Sequence, residues 1–455
     1  MVGAVDKHLA LIGFMGAGKS TIGRELARLT HRPFVDTDEE IEKRFGPISE
    51  LFERGEPEFR RIEEQVLMET LAGPTAVIAL GGGAVLSEAT RKRLRRTAFV
   101  AWVTVDVDTA WSRVRDSGRP LARDREQFGR LFEERAVLYD VLAQGTGQAA
   151  DHLLLESLHF IFSSEMASDA VVIADERVAQ LHELPVVGPV MLTTHLVPAG
   201  ERAKTPAVVD RLWNELELGR EGWIVGFGGG STTDVAGFTA ATYLRGVRWV
   251  AVPTTLVGMV DAAIGGKTGI NTEQGKNLAG AFHFPWEVRI DPRFLATLPA
   301  EERRAGMAEV VKTGLLAGEP LWELPDDDMI RACAAFKSAV VISDPYEREG
   351  RRAVLNLGHT FAHALEAGSG YEFRHGDAVA LGLLAALRLS GRPTDVVQEV
   401  LAPEPVRVDR DRAWDALLRD KKGALNLVLL GDEGGYVASV PERDVKRALD
   451  ELIAD

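Results

Sequence analysis

The stretch HLALIGFMGAGKSTIGRELARLT, residues 8–30, decides the fold of the first part of the chain. A short apolar run, typical of a buried strand, leads into Gly13–Ser20, which fits the pattern GxxxxGK(S/T), and a helical pattern follows at once. The glycines let backbone N–H groups curl around phosphate oxygens, Lys19 can reach the terminal phosphates, and the Ser20 hydroxyl can ligate magnesium. The sequence therefore predicts a nucleotide-phosphate loop between a strand and a helix.

Strand-like and helical segments alternate after this loop. FVDTD, TAVIAL and FVAWVTV have the composition of strands, and helical stretches such as FRRIEEQVLMETL separate them. This alternation is typical of a parallel, doubly wound sheet. We expect residues 1–150 to form one α/β domain, in which the stretch after Arg135 shows no final strand.

A second α/β series follows in AVVIADE, VMLTTH, WIVGFGGG and RWVAVPTT. It predicts another α/β domain over residues 171–294, joined to the first by residues 151–170. From about Leu295 to residue 455 helical periodicity dominates, apart from a hairpin predicted in LNLVLLGDEGGYVASV.

Composition limits the possible partners. The 455 residues carry a net charge of -15, which argues against nucleic acid as a partner because few counterions would be displaced. The single cysteine, Cys333, rules out metal sites built from thiolates, so any metal must use histidine and carboxylate. No apolar run is long enough to span a bilayer, and we expect a cytoplasmic chain without a membrane partner.

Polar motifs follow the phosphate loop in a fixed order. In Asp36-Thr-Asp38 the two carboxylates would project from the same side of an extended segment, although this tripeptide alone is more often a solvated turn. Further along the chain come Arg60 in EFRRIEE, the glycine triplet of LGGGAV, Arg119 in SGRPL and Arg135 in ERAVLY.

Over roughly residues 7–140 this combination resembles shikimate kinase. The resemblance implies ATP with magnesium as phosphoryl donor, Asp36 beside the magnesium, Asp38 on the ring hydroxyls and Arg119 closing from a lid. The residues implied for ATP and magnesium are Gly16, Gly18, Lys19, Ser20, Thr21 and Asp36. Those implied for shikimate are Asp38, Arg60, Gly82, Gly83 and Arg135, and catalysis itself would use Lys19, Asp38 and Arg119.

The lid segment DSGRPLARD is short for that family. An alternative is therefore that the first domain only binds ATP and regulates or braces its partner. The complete set of transfer groups, among them Lys19, Asp38 and Arg119, favours catalysis over this alternative.

The second glycine-rich stretch, GFGGGSTTD, is by itself weak evidence for a dinucleotide. Together with ATYLRG, VPTTLVGMVDAAIGGKTGIN, GKNLAGAFH and RAGMAEVVKTG, it resembles 3-dehydroquinate synthase over roughly residues 195–430. The NAD contacts that the resemblance implies are Gly200, Glu201, Lys204, Gly229, Gly230, Asp234, Thr254, Thr255, Lys267 and Lys276. The catalytic residues implied are Arg245, Asp261, Lys267, Lys312, Glu347, Arg352, Asn356 and His363, with Lys276, Asn277 and Lys337 as further substrate contacts.

Three of the ten histidines lie in LNLGHTFAHALEAGSGYEFRHGD, residues 355–377. His359 and His363 are spaced i, i+4, so on a helix they share a face and could share a metal, although such a pair is more often a chance surface pair. The synthase resemblance instead implies Glu309, His359 and His375 as ligands of zinc or another divalent metal, with His363 binding substrate or relaying protons. A Glu/His₂ set leaves coordination positions open, as in catalytic zinc sites.

The two resemblances imply a bifunctional enzyme of aromatic amino acid biosynthesis. One half would phosphorylate shikimate, and the other would convert 3-deoxy-D-arabino-heptulosonate 7-phosphate to 3-dehydroquinate and phosphate; a homodimer through the synthase half is possible. The expected fold class is α/β, with a P-loop kinase domain, an α/β NAD-binding domain and a mostly helical metal-binding domain. A related sugar-phosphate cyclase or a metal alcohol dehydrogenase remains an alternative for the second half.

Overall fold

The structure is a computed structural model that describes residues 5–116, 124–158, 160–161, 170–183, 193–420 and 425–454. The chain divides into two compact units, Met1–Phe160 and Ile161–Asp455, which we describe separately. Within the described residues, no helix combines the length and apolar character needed to cross a membrane.

The first unit is a five-stranded parallel sheet surrounded by helices. Its strands are β1 (His8–Ile12), β2 (Phe34–Asp36), β3 (Val77–Ala79), β4 (Ala98–Val103) and β5 (Gly145–Gly147), in the order β2-β3-β1-β4-β5. Its helices are α1 (Lys19–Thr30), α2 (Thr37–Phe45), α3 (Ile48–Arg54), α4 (Glu56–Thr70), α5 (Glu88–Thr97), α6 (Val107–Val114), α7 (Arg125–Leu142) and α8 (Ala150–Ser157), with a 3₁₀ turn at Ala84–Leu86. This arrangement confirms the predicted parallel α/β fold.

The expectation that no strand follows Arg135 is wrong. Gly145–Gly147 pairs in parallel with β4, Ala101 lying opposite Gly145. Two glycines in three residues give almost no strand propensity, so the pattern could not indicate β5. Packing explains the glycine, because a Cβ on Gly145 would lie 2.9 Å from the Phe99 ring.

The second unit begins with α/β structure. Its strands are β6 (Phe160–Ile161), β7 (Ala170–Asp175), β8 (Thr193–Val197), β9 (Trp223–Gly228), β10 (Arg248–Pro253), β11 (Lys267–Thr272), β12 (Gly275–Phe282) and β13 (Glu287–Arg289). The main sheet has the order β6-β13-β10-β9-β7-β8, and β11 and β12 form a separate antiparallel hairpin. The helices of this part are α9 (Val178–Leu181), α10 (Pro206–Glu215) and α11 (Gly230–Thr242), with short turns of helix at Gly200–Ala203, Tyr243–Arg245, Gly258–Ala262 and Pro292–Thr297.

The rest of the second unit is mostly helical, as predicted. Its helices are α12 (Ala300–Ala317), α13 (Asp326–Ser343), α14 (His359–Gly368), α15 (His375–Leu389), α16 (Asp395–Leu401), α17 (Arg410–Asp420) and α18 (Glu442–Asp450), with 3₁₀ turns at Leu321–Glu323 and Arg351–Asn356. The predicted hairpin is present as β14 (Asn426–Gly431) and β15 (Gly434–Ser439). Helix α15 is buried along nearly its whole length and lies in the centre of this apolar core.

His8 makes the stability of the first unit depend on pH. The side chain is buried in β1, and its Nδ1 accepts a hydrogen bond from the Ala76 N–H at 3.1 Å. Burial, with help from Arg32, lowers the pKa of His8 below its usual value. The unfolded chain therefore takes up a proton as the pH falls below about 6.5, while the folded unit does not, and stability is lost in that range.

We predict that His8→Asn, which keeps an acceptor for Ala76, flattens this dependence. Between pH 7.5 and 5.5 the wild type should lose up to about 1.4 kcal/mol of unfolding free energy per pH unit more than the variant. Urea unfolding read by hydrogen exchange of the β1 peptide measures the difference. Equal slopes for the two proteins would contradict the prediction.

Candidate active sites

The phosphate loop of the first unit lies between β1 and α1, where the sequence predicted it. Gly16 has a φ of 81°, and a Cβ there would lie 2.8 Å from the Ala110 carbonyl oxygen, so only glycine fits. Lys19 donates hydrogen bonds from Nζ to the carbonyl oxygens of Gly13 (2.9 Å) and Phe14 (3.1 Å). Two carbonyl oxygens of the loop thus bind the Lys19 ammonium group. Gly18 is the N-cap of α1, with Ser20 and Thr21 in the first turn of that helix.

The two aspartates of the DTD motif do not share one side of an extended segment, contrary to expectation. Strand β2 ends at Asp36 and α2 begins at Thr37, so Asp38 lies in the first turn of a helix. Asp36 caps that helix by accepting from the Asp38 N–H at 3.0 Å, and it also accepts the Ser20 hydroxyl at 2.5 Å. The capping bond favours the junction because it satisfies a free N–H at the helix start. Ser20 and Asp36 are thereby adjacent, as a magnesium site requires.

Arg60 is held in place by carboxylates. It donates to Glu63 at 2.6 Å and to Glu56 at 3.1 Å. Burial raises the pKa of Glu63, and Arg60 only partly offsets this. A Cβ on Gly83 would lie 2.1 Å from the Arg60 Nη1, so glycine at this position makes room for the guanidinium. The sequence analysis missed Glu63, although its i+3 spacing from Arg60 on one helix was a usable signal.

Arg135 and Gly82 meet at Tyr139. Arg135 is buried and its Nε has no hydrogen-bond partner among the described residues. The Tyr139 hydroxyl, one turn further along α7, donates to the Gly82 carbonyl oxygen at 2.6 Å. Burial lowers the pKa of Arg135, with Tyr139 acting in the opposite direction. A buried guanidinium beside the glycine triplet suits a planar carboxylate ligand. Arg119, the predicted lid residue, lies outside the described residues.

The dinucleotide candidates of the second unit gather where β9 and β10 end. β9 ends at Gly228 and α11 begins at Gly230, which gives the helix-terminal N–H groups that bind phosphate. A Cβ on Gly230 would lie 2.8 Å from the Ala262 side chain, so the backbone is packed closely there. Thr254 is buried, and its hydroxyl has no hydrogen-bond partner in the part of the chain that the structure describes, while the Thr255 hydroxyl accepts from the Gly258 N–H.

Lys204 joins this loop to the hairpin β11–β12. Its Nζ donates to Asp234 and to the Asn277 side-chain oxygen, both at 2.5 Å. Glu201, beside Gly200 in the preceding 3₁₀ turn, accepts from Ser231 at 3.2 Å. Lys204 thus meets Asp234, and Glu201 meets Ser231, beside the glycine loop, whereas the predicted NAD residues Lys267 and Lys276 pair with Glu347 and Glu366.

A candidate metal centre lies where three helices begin or pass. Glu309 of α12 and the first residues of α14 and α15, His359 and His375, place ligand atoms within 4.8 Å of one another. The Nε2 atoms of His359 and His375 lie 3.5 Å and 3.4 Å from the same Glu309 oxygen. His363 is not part of this set, although its ring centroid is 5.8 Å from that of His359. Among the described residues, the clustered ligand atoms therefore belong to Glu309, His359 and His375 and not to the i, i+4 pair.

The electrostatics of Glu309 fit a cation. Both of its oxygens are fully buried, and neither accepts a hydrogen bond of ordinary geometry from the described residues. Burial alone would raise the pKa of Glu309, but Lys312, His359 and His375 outweigh it and hold the pKa well below its usual range. The Glu309 Oε2 pairs with Lys312, and its Oε1 faces the two imidazoles. This ionised carboxylate and the two histidines form a donor set suited to zinc.

Close backbone approach positions these ligands. A Cβ on Gly376 would lie 2.2 Å from the Ala305 Cα, so α12 and α15 touch beside His375 and one turn before Glu309. Likewise a Cβ on Gly382 would lie 2.1 Å from the Gly358 carbonyl oxygen, which fixes α15 against the residue that precedes His359. The distance between the three ligands depends on these two glycines.

Most predicted substrate residues belong to an ionic network in two parts, of which the first is joined to the metal-ligand candidate Glu309 by Lys312. Asp261 accepts from Lys337 at 2.6 Å and lies 3.6 Å from Lys312. Burial would raise the pKa of Asp261, but the two lysines outweigh it and lower the pKa. Glu347 pairs with Lys267 and lies 3.7 Å from the Arg352 Nε.

Arg245 stands apart from this network. It is exposed in the turn Tyr243–Arg245, has a φ of 68°, and makes no hydrogen bond or ion pair with any residue in the described ranges. Asn356 is exposed at the end of the turn Arg351–Asn356. Glu366, which the sequence analysis missed, is buried and pairs with Lys276 at 3.1 Å. Burial would raise the pKa of Glu366, but His375 and Lys276 hold it at about 2.

Comparison with known proteins agrees with this geometry. Residues 15–158 match the shikimate kinase family, and residues 194–305 and 306–422 match the N-terminal and C-terminal parts of 3-dehydroquinate synthase. A 3-dehydroquinate synthase of Mycolicibacterium vanbaalenii is 44% identical over 270 residues, which cover 52% of this chain and 75% of that protein. One of Methylacidiphilum infernorum is 37% identical over 69% of this chain and 93% of its own length. These matches confirm both resemblances.

A solved structure agrees in fold with the second part of the chain. The crystal structure of 2-deoxy-scyllo-inosose synthase complexed with carbaglucose-6-phosphate, NAD+ and Co2+ superposes with a TM-score of 0.55 at 23% identity. The likeness covers 64% of this chain and 98% of that one.

We predict that Gly376→Ala forces α12 and α15 apart and destabilises the second unit by about 1–3 kcal/mol, because overpacking at a backbone contact cannot relax. It should also weaken binding of a divalent metal by separating Glu309 from His375. Urea unfolding and metal titration measure the two effects. Gly219→Ala is the matched control, since a Cβ there meets nothing within 4 Å. Equal stability of the two variants would contradict the role of this contact.

Proposed function

The chain belongs to the 3-dehydroquinate synthase family and carries a shikimate kinase domain ahead of that region. We propose that each of its two halves catalyses the reaction of the family that it matches. It is a bifunctional enzyme of the shikimate pathway, a transferase in its first half and a lyase in its second. The first half would phosphorylate the 3-hydroxyl of shikimate. The second would convert 3-deoxy-D-arabino-heptulosonate 7-phosphate to 3-dehydroquinate and phosphate.

In the kinase half, the substrate hydroxyl would attack the γ-phosphorus of ATP, and the bond to the β–γ bridging oxygen would break to release ADP. Such transfer needs positioning and cationic stabilisation more than covalent chemistry. Asp38 would orient the hydroxyl and accept its proton, Lys19 would move from its loop carbonyls onto the phosphates, and Ser20 with Asp36 would hold magnesium.

The shikimate carboxylate would pair with the two arginines. Glu63 orients the Arg60 guanidinium, and the Arg135 Nε has no hydrogen-bond partner among the residues that the structure describes. Gly82 and Gly83 have no side chains that would keep the ring from the backbone. The observation that carries this assignment is the convergence of Arg60 and Arg135 around Gly82 and Gly83, since a Cβ on each glycine would meet one of these guanidinium groups within 3.5 Å.

We predict shikimate-dependent ADP formation by the full-length protein with ATP and magnesium. Lys19→Ala should lower kcat about 10²-fold or more, because it removes a charge that stabilises the transferring phosphoryl group. The exposed Lys92→Ala is the control. ATP binding without shikimate-dependent turnover would instead support the regulatory alternative for this half.

In the synthase half, the residues fit both cofactors. Glu309, His359 and His375 would hold a divalent metal such as zinc, and the Gly229, Gly230 and Thr255 loop would hold NAD. Bound NAD would supply a hydride acceptor and the bound metal a Lewis acid. With these groups bound, the proposed conversion would combine oxidation at one substrate carbon, elimination of phosphate after loss of the neighbouring acidified proton, reduction at the oxidised carbon and ring closure by an aldol step. Net redox change is therefore zero.

The charge of the site suits a substrate with a phosphate and a carboxylate. Five cations face four carboxylates in the paired network: the cations are Lys267, Lys276, Lys312, Lys337 and Arg352, and the carboxylates are Asp261, Glu309, Glu347 and Glu366. A divalent metal would raise the excess of positive charge from one to three. In a protein with a net charge of -15, this local excess favours an anionic substrate over a simple alcohol.

We predict NAD-dependent phosphate release from 3-deoxy-D-arabino-heptulosonate 7-phosphate that stops after chelation and returns with zinc or cobalt. His359→Ala should abolish it while ADP formation by the kinase half shows that the chain is intact. Glucose 6-phosphate is the comparison substrate, chosen because the 2-deoxy-scyllo-inosose synthase structure holds a carba-analogue of it. Release from glucose 6-phosphate alone would favour the related-cyclase alternative.

A further inference from the structure

Glu366 has no role in the reaction proposed above, yet it is a buried carboxylate at the edge of the metal centre. It lies seven residues after His359 on α14, which places both on the same face of the helix two turns apart. Its side chain is 4% exposed. A buried carboxylate is costly unless cationic partners compensate it, so its two partners indicate why it is there.

The first partner is His375. The His375 Nδ1 lies 3.6 Å from the Glu366 Oε1, while its Nε2 lies 3.4 Å from the Glu309 Oε1. The imidazole thus lies between two carboxylates, with a different nitrogen facing each. A histidine that binds metal through Nε2 keeps a hydrogen on Nδ1, and that N–H needs an acceptor to fix the tautomer and the ring orientation.

His359 has the same arrangement with a different acceptor. Its Nδ1 lies 3.2 Å from the Leu357 carbonyl oxygen and its Nε2 faces Glu309 at 3.5 Å. Both imidazoles therefore present Nε2 to the shared centre and have an acceptor at Nδ1. For His359 the acceptor is the backbone, and for His375 it is the Glu366 side chain, which a mutation can remove.

The second partner is Lys276 in strand β12. Its Nζ lies 3.1 Å from the same Glu366 Oε1 and 5.0 Å from the centre of the Tyr371 ring, in the connection between α14 and α15. One carboxylate oxygen is thus shared by a candidate metal ligand and by the β11–β12 hairpin, which carries Lys267 and Asn277.

We propose that Glu366 is a positioning residue, which orients His375 for the metal and anchors the β11–β12 hairpin to the metal centre through Lys276. The proposal rests on the proposed metal-dependent function. It predicts that Glu366 acts on metal affinity through His375 alone, since Lys276 contacts neither Glu309 nor the two histidines in the described ion pairs.

The test is the dissociation constant for zinc, measured on the full-length protein by competition with a chromogenic chelator, and the visible absorption spectrum of the cobalt-loaded protein. Glu366→Gln keeps the shape of the side chain but removes its charge, and it should raise the dissociation constant about 10- to 100-fold, as loss of a partner of a metal-ligating histidine does. The cobalt spectrum should shift because one imidazole is no longer held in place.

Lys276→Met is the matched control. It removes the other partner of Glu366 and should leave the zinc dissociation constant unchanged, while the hairpin amides lose hydrogen-exchange protection in both variants. ADP formation by the kinase half reports the integrity of each preparation. If Glu366→Gln does not fold, Glu366→Asp is the second variant. It keeps the charge but draws the carboxylate away from His375, and it should also raise the zinc dissociation constant.

Two outcomes are kept distinct. A wild type that binds neither zinc nor cobalt would overturn the metal-dependent function itself. The role of Glu366 would be overturned if the wild type binds metal and the Glu366 variant that folds has the same zinc dissociation constant and the same cobalt spectrum as the wild type.

Discussion

Glu309 is an ionised carboxylate that the fold removes from water, and much of the second unit is arranged around it. Such a group is tolerated only if cations compensate it. Lys312 from the same helix and the two histidines from α14 and α15 do so, and Lys312 is in turn shared with Asp261. Each buried charge requires a partner of opposite charge, and this requirement extends the network from the candidate metal centre to residues that we propose bind substrate.

The same network links binding to chemistry. Its lysines and Arg352 are already ordered by carboxylates before any substrate arrives, so little side-chain entropy remains to be lost on binding. The carboxylates also keep each cation in place. Their number is smaller than that of the cations, and the remaining positive charge would be available to the phosphate or the carboxylate of the proposed substrate.

The first unit meets the same requirement on a smaller scale. Arg60 lies between Glu56 and Glu63, and Gly83 leaves the volume that its guanidinium occupies. Tyr139, one helical turn after Arg135, donates a hydrogen bond to the Gly82 carbonyl oxygen and so links α7 to the glycine triplet. In both units a few glycines let charged side chains or the helices that carry them pack closely, and neighbouring carboxylates or hydroxyls orient those side chains.

The sequence by itself determined the motifs whose chemistry is local: the phosphate loop, the alternation of strands and helices, and the residue types of both sites. These follow from periodicity and from backbone needs within a few residues. Only the tertiary structure decided that Asp36 ends a strand and caps a helix and that Gly145–Gly147 is a strand. It also showed that the ligand atoms of Glu309, His359 and His375, a set that the family resemblance had implied, lie close together. The pairing of Glu366 with Lys276 and the bond from Tyr139 to the Gly82 carbonyl oxygen likewise emerged from contacts. The physical reason is that pairing depends on distances between segments far apart in the chain, which side-chain packing sets and local pattern does not encode.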